Sequence, residues 1–277
     1  MIRFKLNIVI FKIMKFIYAL APIEDMTNDS FRTLAHNHGA DVTFSEMVLF
    51  ESLAKKNKSS LTRIKITNNV PTVIQILGLS EYYLKKFLSQ FEPEPGFLGF
   101  NLNLGCPAPG VVNYGMGCSM IKRVAKVKKL TEIIKKRGFR VNLKLRLGAN
   151  AFEKEKKVYI NLIKGVSVDY YIIHARHGKE SYNTPPDWSV FKECCNLRKK
   201  IIANGNIKTK KDVELLKSYG VSGVMIGRAA ITNPGIFNEL KGNPKVPISQ
   251  LRKEYLELSK NDPSIRHSKN ILKHMRE

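Results

Sequence analysis

The chain has 277 residues, 43% hydrophobic and 25% charged, a balance that excludes a disordered segment and allows one large domain with at most a small appendage. With 47 Lys and Arg against 23 Asp and Glu, the formal charge is +24 at neutral pH. Two of the four cysteines (106, 118, 194 and 195) are adjacent, which excludes a disulfide framework and a zinc knuckle and fits a reducing cytosol.

The first twenty residues, "MIRFKLNIVIFKIMKFIYAL", imitate a signal peptide, but Lys12 and Lys15 interrupt the apolar run and also exclude a membrane span. Residues 14–21 read as the first buried strand and 1–13 as a leader, with Met14 as an alternative start. Short β-rich runs then recur: "FIYALA" (16–21), "DVTFSE" (41–46), "TVIQIL" (72–77), "FLGFNLN" (97–103), "VNLKLRL" (141–147), "DYYIIHA" (169–175), "KIIANG" (200–205) and "GVMIG" (223–227). Amphipathic stretches such as "EYYLKKFLSQF", "VAKVKKLTEIIKKRG" and "TKKDVELLKSYG" lie between them. Strand and helix alternating eight times predict an α/β protein, a (β/α)8 TIM barrel with a small C-terminal helical extension. A doubly wound open sheet is the competing architecture, but no GxGxxG follows an early strand.

A barrel places its chemistry at the C-terminal ends of the strands. Those ends carry Pro22 and Glu24, Ser45 and Glu46, Gln75, Asn103 and Cys106, Lys144 and Arg146, His174 and Arg176, Asn204 to Asn206, then Gly227 and Arg228. The last two ends, "IIANGNI" and "GVMIGRA", stand where (β/α)8 enzymes commonly bind a phosphate, with Gly205 and Gly227 allowing close backbone approach and Arg228 adding a charged donor. Taken singly, the glycines are also compatible with ordinary turns. Lys144 alternates with leucines and so faces the interior, where it needs an anion or a lone pair. His174 has the same placement, and a core histidine satisfied by the backbone is its alternative. With Gln75 these groups can hold a flat heterocycle; a heterocycle plus a phosphate, without a nucleotide fingerprint, suggests FMN.

These blocks resemble the tRNA-dihydrouridine synthases over about residues 16–240. The resemblance is carried by "LAPIEDMTNDSFR", "NLNLGCPAPGVVNYGMGCSMI", "LKLRLG", "IIHAR", "IIANGNI" and "GVMIGRAA", in the family's order. It implies an FMN-dependent reduction of the C5–C6 bond of uridine in tRNA, with NADPH as the electron source and Cys106 as the proton donor. It also implies that Pro22, Ile23, Glu24, Gln75, Lys144, Asn204, Gly205, Asn206, Gly227 and Arg228 surround FMN, with His174 near flavin and substrate. "APIE" departs from the pattern, having isoleucine where methionine is usual.

The chemistry needs a hydride at C6 and a proton at C5. A thiol, with an ordinary pKa near ~8.5, is largely protonated at neutral pH and can supply the proton. Asn103 is expected to hydrogen-bond flavin or base, and Lys144 and His174 to steady the charge that develops on the uracil carbonyls. Cys118 is expected to pack in a helix entering the barrel wall. The domain reading is an FMN-binding barrel over 14–240 and a short helical tRNA-binding extension over 241–277. The expected protein is a cytoplasmic monomer that binds no metal and no membrane. Clusters such as Lys126/Lys128/Lys129, Lys135/Lys136/Arg137 and Arg198/Lys199/Lys200 suit a polyanionic partner, tRNA, or simply a lysine-rich soluble surface. An FMN barrel reducing a free pyrimidine or enone, and an RNA-binding protein without catalysis, are the competing functions.

Overall fold

All eight β-rich runs become parallel strands, and the ring closes. The computed structural model describes residues 16–260 and 265–276. Its strands are β1 (Ile17–Leu20), β2 (Thr43–Phe44), β3 (Val48–Leu49), β4 (Thr72–Leu77), β5 (Phe97–Leu104), β6 (Val141–Leu145), β7 (Tyr171–His174), β8 (Ile201–Asn204) and β9 (Gly223–Ile226). Their hydrogen-bonded order is β1-β9-β8-β7-β6-β5-β4-β2, with β3 also on β4. An isolated parallel bridge between Ala19 and Val42 joins the two ends of this path. Leu20 N–H donates to Val42 O at 2.9 Å and Asp41 N–H to Tyr18 O at 2.8 Å, completing the seam. Closure excludes the open doubly wound sheet. The expected leader, residues 1–13, and the first two residues of the expected strand, Met14 and Lys15, lie outside the described residues.

Period-two alternation divides the apolar residues into two cores. Inside the barrel lie Ile17, Ala19, Val42, Phe44, Val73, Leu98, Ile172, Ile202 and Met225, together with Ala21 and Tyr170. Outside, Tyr18 and Leu20, Phe100 and Leu102, Leu143 and Leu145, and Tyr171 and Ile173 pack against the helices. The phase of β5 changes partway. Leu98 and Asn101 both face inward because the register against β4 shifts by one residue at Gly99. Gly99 has φ +137°, and a Cβ there would stand 2.8 Å from Arg140 O, so only glycine fits this bulge.

The second predicted strand, 41–46, is shorter than expected and is followed by a separate pair, β3. Ser45 causes the break: its Oγ accepts from Gln75 N–H and donates to Glu46 O, both at 3.0 Å. A side chain there takes the place of a ladder partner. The amphipathic stretches form helices Glu81–Gln90, Val124–Lys136 and Lys210–Ser218. The last begins with a capping box between Thr209 and Asp212, and Gly220, at φ +88°, follows its end.

After the barrel, helix Ile248–Ser259 lies on helix Asp29–Asn37 of the first βα unit. Tyr255, fully buried, stacks edge-on against Phe31 and accepts from Asn28 Nδ2 at 3.2 Å. Its hydroxyl also reaches Ser268 on the final helix, Ile265–His274. His38 Nε2 meets Glu254 Oε2 at 2.5 Å, and Ser30 Oγ donates to Leu258 O. The extension is thus stitched to the barrel wall. Among the described residues, no helix is long and apolar enough to cross a membrane.

Candidate active site

The polar strand ends gather at one mouth of the barrel in two groups. The first spans β4 to β6. Asn103, the penultimate residue of β5, turns its side chain toward the following turn: its Oδ1 accepts from Gly105 N–H and Cys106 N–H, each at 2.9 Å. Its Nδ2 donates to Gln75 Oε1 at 2.9 Å. From the other side, Cys106 O accepts from Cys118 N–H at 3.0 Å, and Gly117 sits so close that a Cβ would stand 2.3 Å from that oxygen. The Cys106 turn is held from both faces, with the cysteine half-buried at the mouth. Cys118 lies not in an α-helix but in one 3-10 turn, Gly117–Met120, where burial pushes its thiol pKa up. Its role here is to pack and to offer its backbone.

Lys144, next to Asn103 in register, is half-buried. Burial, then the Arg146 guanidinium, lowers its pKa to about 8, while Cys106 acts in the opposite direction. Lys144 is therefore mostly a cation at neutral pH and is poised to lose its proton just above it.

The second group spans β7 to β9. Asn204 donates from Nδ2 to Met225 O at 2.8 Å, tying two strand ends. Gly205, at φ +127°, packs so tightly that a Cβ would meet His174 Cδ2 at 3.1 Å and Pro186 Cβ at 3.2 Å. Trp188 Nε1 donates to its carbonyl at 3.0 Å. Arg228 Nη2 donates to Asn206 Oδ1 at 2.7 Å. A cavity of about 340 Å³ opens here, lined by Asn204, Asn206, Lys208, Gly227, Arg228 and Tyr182 among others. Gly227 and Ile23 adjoin, since a Cβ on Gly227 would lie 3.6 Å from Ile23 Cδ1. The Pro22–Ile23 segment thus borders this group. The next residue, Glu24, is exposed and lies 3.3 Å from Arg63, which also meets Asp25 and the buried Glu46 at 3.2 Å.

His174 is buried within the second group. Arg176 can only donate, so its Nη1 contact at 3.1 Å makes His174 Nε2 an acceptor and leaves the ring proton on Nδ1. Burial, followed by Lys144, Arg146, Arg176 and Arg228, drives the imidazole pKa far below its usual value, so the ring is neutral.

Three residues given no individual role by the sequence shape the site: Arg146 and Arg176, seen there only as strand ends, and Tyr182, which was not singled out. Arg176, fully buried, donates to Thr184 O at 2.7 Å and Tyr182 O at 3.2 Å, folding residues 177–186 back over the mouth. Tyr182 lies under the Arg228 guanidinium at 4.1 Å and stacks with His174 at 21°. Arg146 Nη1 fixes the same loop through His177 O at 2.8 Å. For Tyr182 the available signal was an aromatic residue within the polar stretch "HGKESYNT" that follows a strand end.

The arrangement brings together a clamped thiol, a tunable ammonium and a cationic, polar-lined cavity. The family model described as Dihydrouridine synthase (Dus) matches residues 19–277. A Helicobacter pylori protein named "Probable tRNA-dihydrouridine synthase" is 32% identical over 244 residues, covering 84% of this chain and 72% of the relative. The Bacillus subtilis "Probable tRNA-dihydrouridine synthase 2" is 31% identical over 252 residues, covering 87% and 75%. An Aquifex aeolicus relative, "Probable tRNA-dihydrouridine synthase", is 29% identical over 231 residues, covering 80% and 72%. With the clamped cysteine and the ordered strand ends in place, the chain belongs to the dihydrouridine synthase family.

Proposed function

We propose that the protein reduces the C5–C6 double bond of uridine in tRNA to dihydrouridine in the cytoplasm, using FMN, with NADPH as the reductant. The observation that carries this reading is the double clamp on the Cys106 turn, beside Lys144 and across the mouth from the Arg228 cavity. A structural cysteine needs no such mounting; a proton donor does.

The residues fit FMN. Gly227 brings backbone to the cavity wall with Asn204 and Asn206, either side of Gly205, and Arg228, Asn206 and Lys208 offer the donors that a phosphate requires. Ile23 beside Gly227, with Pro22, and the group Gln75, Asn103 and Lys144 on neighbouring strand ends would border its flat ring. When bound, FMN in its reduced form supplies the hydride for C6. Cys106 Sγ then gives its proton to C5, and the resulting thiolate is reprotonated from solvent. Protonated Lys144 stabilises the negative charge that gathers on the uracil carbonyl during transfer. Neutral His174, with Nε2 engaged by Arg176, acts as a wall and hydrogen-bonding group rather than as a second cation. The uridine must be splayed out of the RNA to reach the mouth.

The decisive experiment is single-turnover reoxidation of reduced enzyme by tRNA, with dihydrouridine quantified. Cys106→Ala should nearly abolish product while retaining FMN and NADPH oxidation. Cys118→Ala should keep most activity, with a stability cost of about 1 kcal/mol. An active Cys106→Ala protein beside an inactive Cys118→Ala protein would overturn the assignment of the acid.

A further inference from the structure

Behind the Cys106 turn, a row of buried amides crosses the barrel from β5 to β4, back to β5 and on to β6. Asn103 Nδ2 donates to Gln75 Oε1 at 2.9 Å, and Gln75 Nε2 donates to Asn101 Oδ1 at 2.6 Å. Asn101 Nδ2 then donates to Asn142, to both its side-chain Oδ1 and its backbone O. Asn101, Asn142 and Gln75 are each at most 3% exposed.

The direction of this row is not free. At its outer end, Gly105 and Cys106 present backbone N–H groups, which can only donate, so the Asn103 atom facing them must be oxygen. At its inner end, Asn142 presents a backbone carbonyl, which can only accept, so the Asn101 atom facing it must be nitrogen. Every amide between these ends is oriented by its neighbours. Reversing any one of them would set oxygen against oxygen and nitrogen against nitrogen in a buried site, leaving polar groups unsatisfied.

We propose that Asn101 and Asn142 are positioning residues for Cys106: through Gln75 they fix which atom of Asn103 faces the Cys106 turn. Both are buried, Asn101 fully and Asn142 at 3% exposure. The inference rests on the reading of Cys106 as the acid, because it assigns the row the task of keeping that acid in place.

The test labels Cys106 with iodoacetamide, followed by peptide mass spectrometry, in flavin-loaded protein without tRNA, beside single-turnover reoxidation by tRNA. Asn101→Leu is close to isosteric and cuts the row. Loss of one aligned hydrogen bond at the turn should raise the labelling rate about tenfold. The displaced thiol should slow reoxidation by on the order of a hundredfold, with FMN content unchanged. Asn101→Asp supplies the conservative control. While protonated, the introduced carboxyl donates to Asn142 as the amide did; once ionised, it cannot. Its labelling rate relative to wild type should be near one at low pH and should climb as pH rises, a trend that mere loss of packing does not produce. Labelling and reoxidation within twofold of wild type in Asn101→Leu would overturn the proposal. If that variant does not fold, a labelling ratio in Asn101→Asp that is flat with pH overturns it instead. Failure of the acid reading is separable, since it shows as an active Cys106→Ala protein whatever the labelling ratios.

Discussion

Lys144 carries an opposition between stability and chemistry within a single side chain. Burial and Arg146 lower its pKa to about 8, against an ordinary lysine value near 10.4 in the unfolded chain. The unfolded chain therefore binds more protons between these two values, and stability rises with pH across that window; below about 8 the penalty is constant. In the proposed mechanism catalysis runs the other way, because only the protonated form would stabilise the charge on the uracil carbonyl. Turnover under kcat/KM conditions should fall as pH rises through about 8, and Lys144→Met should remove that limb while lowering the rate by roughly a hundredfold. In denaturant titrations of the flavin-free protein, Lys144→Met should be more stable than wild type at pH 7, with the difference closing by about pH 10.5. A rate that is flat through pH 8, or a variant less stable at pH 7, would remove Lys144 from this role.

At the scale of elements, the C-terminal helix Ile248–Ser259 is part of the barrel's outer packing rather than a loosely hung appendage. Tyr255 is the pivot of that contact, buried against Phe31 with its hydroxyl between Asn28 and Ser268. Tyr255→Ala should cost about 3 to 5 kcal/mol in denaturant unfolding and Tyr255→Phe about 1 kcal/mol. Equal losses would mean that the hydroxyl contacts, not the ring, carry the junction. Much of this element layer was legible in advance. Strands such as Tyr171–His174 and Ile201–Asn204 reveal themselves by β-rich runs ending in polar residues, and helix Lys210–Ser218 by its apolar period and the glycine just beyond it. What escaped has a common cause. The break at Ser45, the loop folded by Arg176 and the amide row through Asn101 and Asn142 all depend on side chains meeting groups far away in the chain. Asn103 was expected at the site, but its use as a brace for Cys106 appears only once the turn exists in space. Local pattern contains no record of such partners.

For the molecule as a whole, a charge of +24 acts at long range, and most of the surface ion pairs that offset it are too exposed to matter. Lys269 and Lys273 are exposed on the final helix, on the outside of the structure. If six to ten lysines and arginines meet phosphates, tRNA affinity should fall by about 10³ to 10⁵ between ~50 and ~200 mM salt. Lys269→Glu with Lys273→Glu should weaken binding further while leaving flavin reduction by NADPH intact; an affinity indifferent to salt would favour a small free substrate. The closed ring imposes a different kind of rule through Gly99. Upstream of it, even-numbered Leu98 faces the interior; downstream, odd-numbered Asn101 and Asn103 do. The inner face of β5 therefore has a parity, and a single glycine switches it. Adding or removing one residue between Gly99 and Asn103 would exchange the amides for Phe100 and Leu102, whereas a change of two would leave each kind of side chain on its own side. Tolerance to length change in this strand should thus alternate between odd and even, a constraint that no substitution at constant length can reveal.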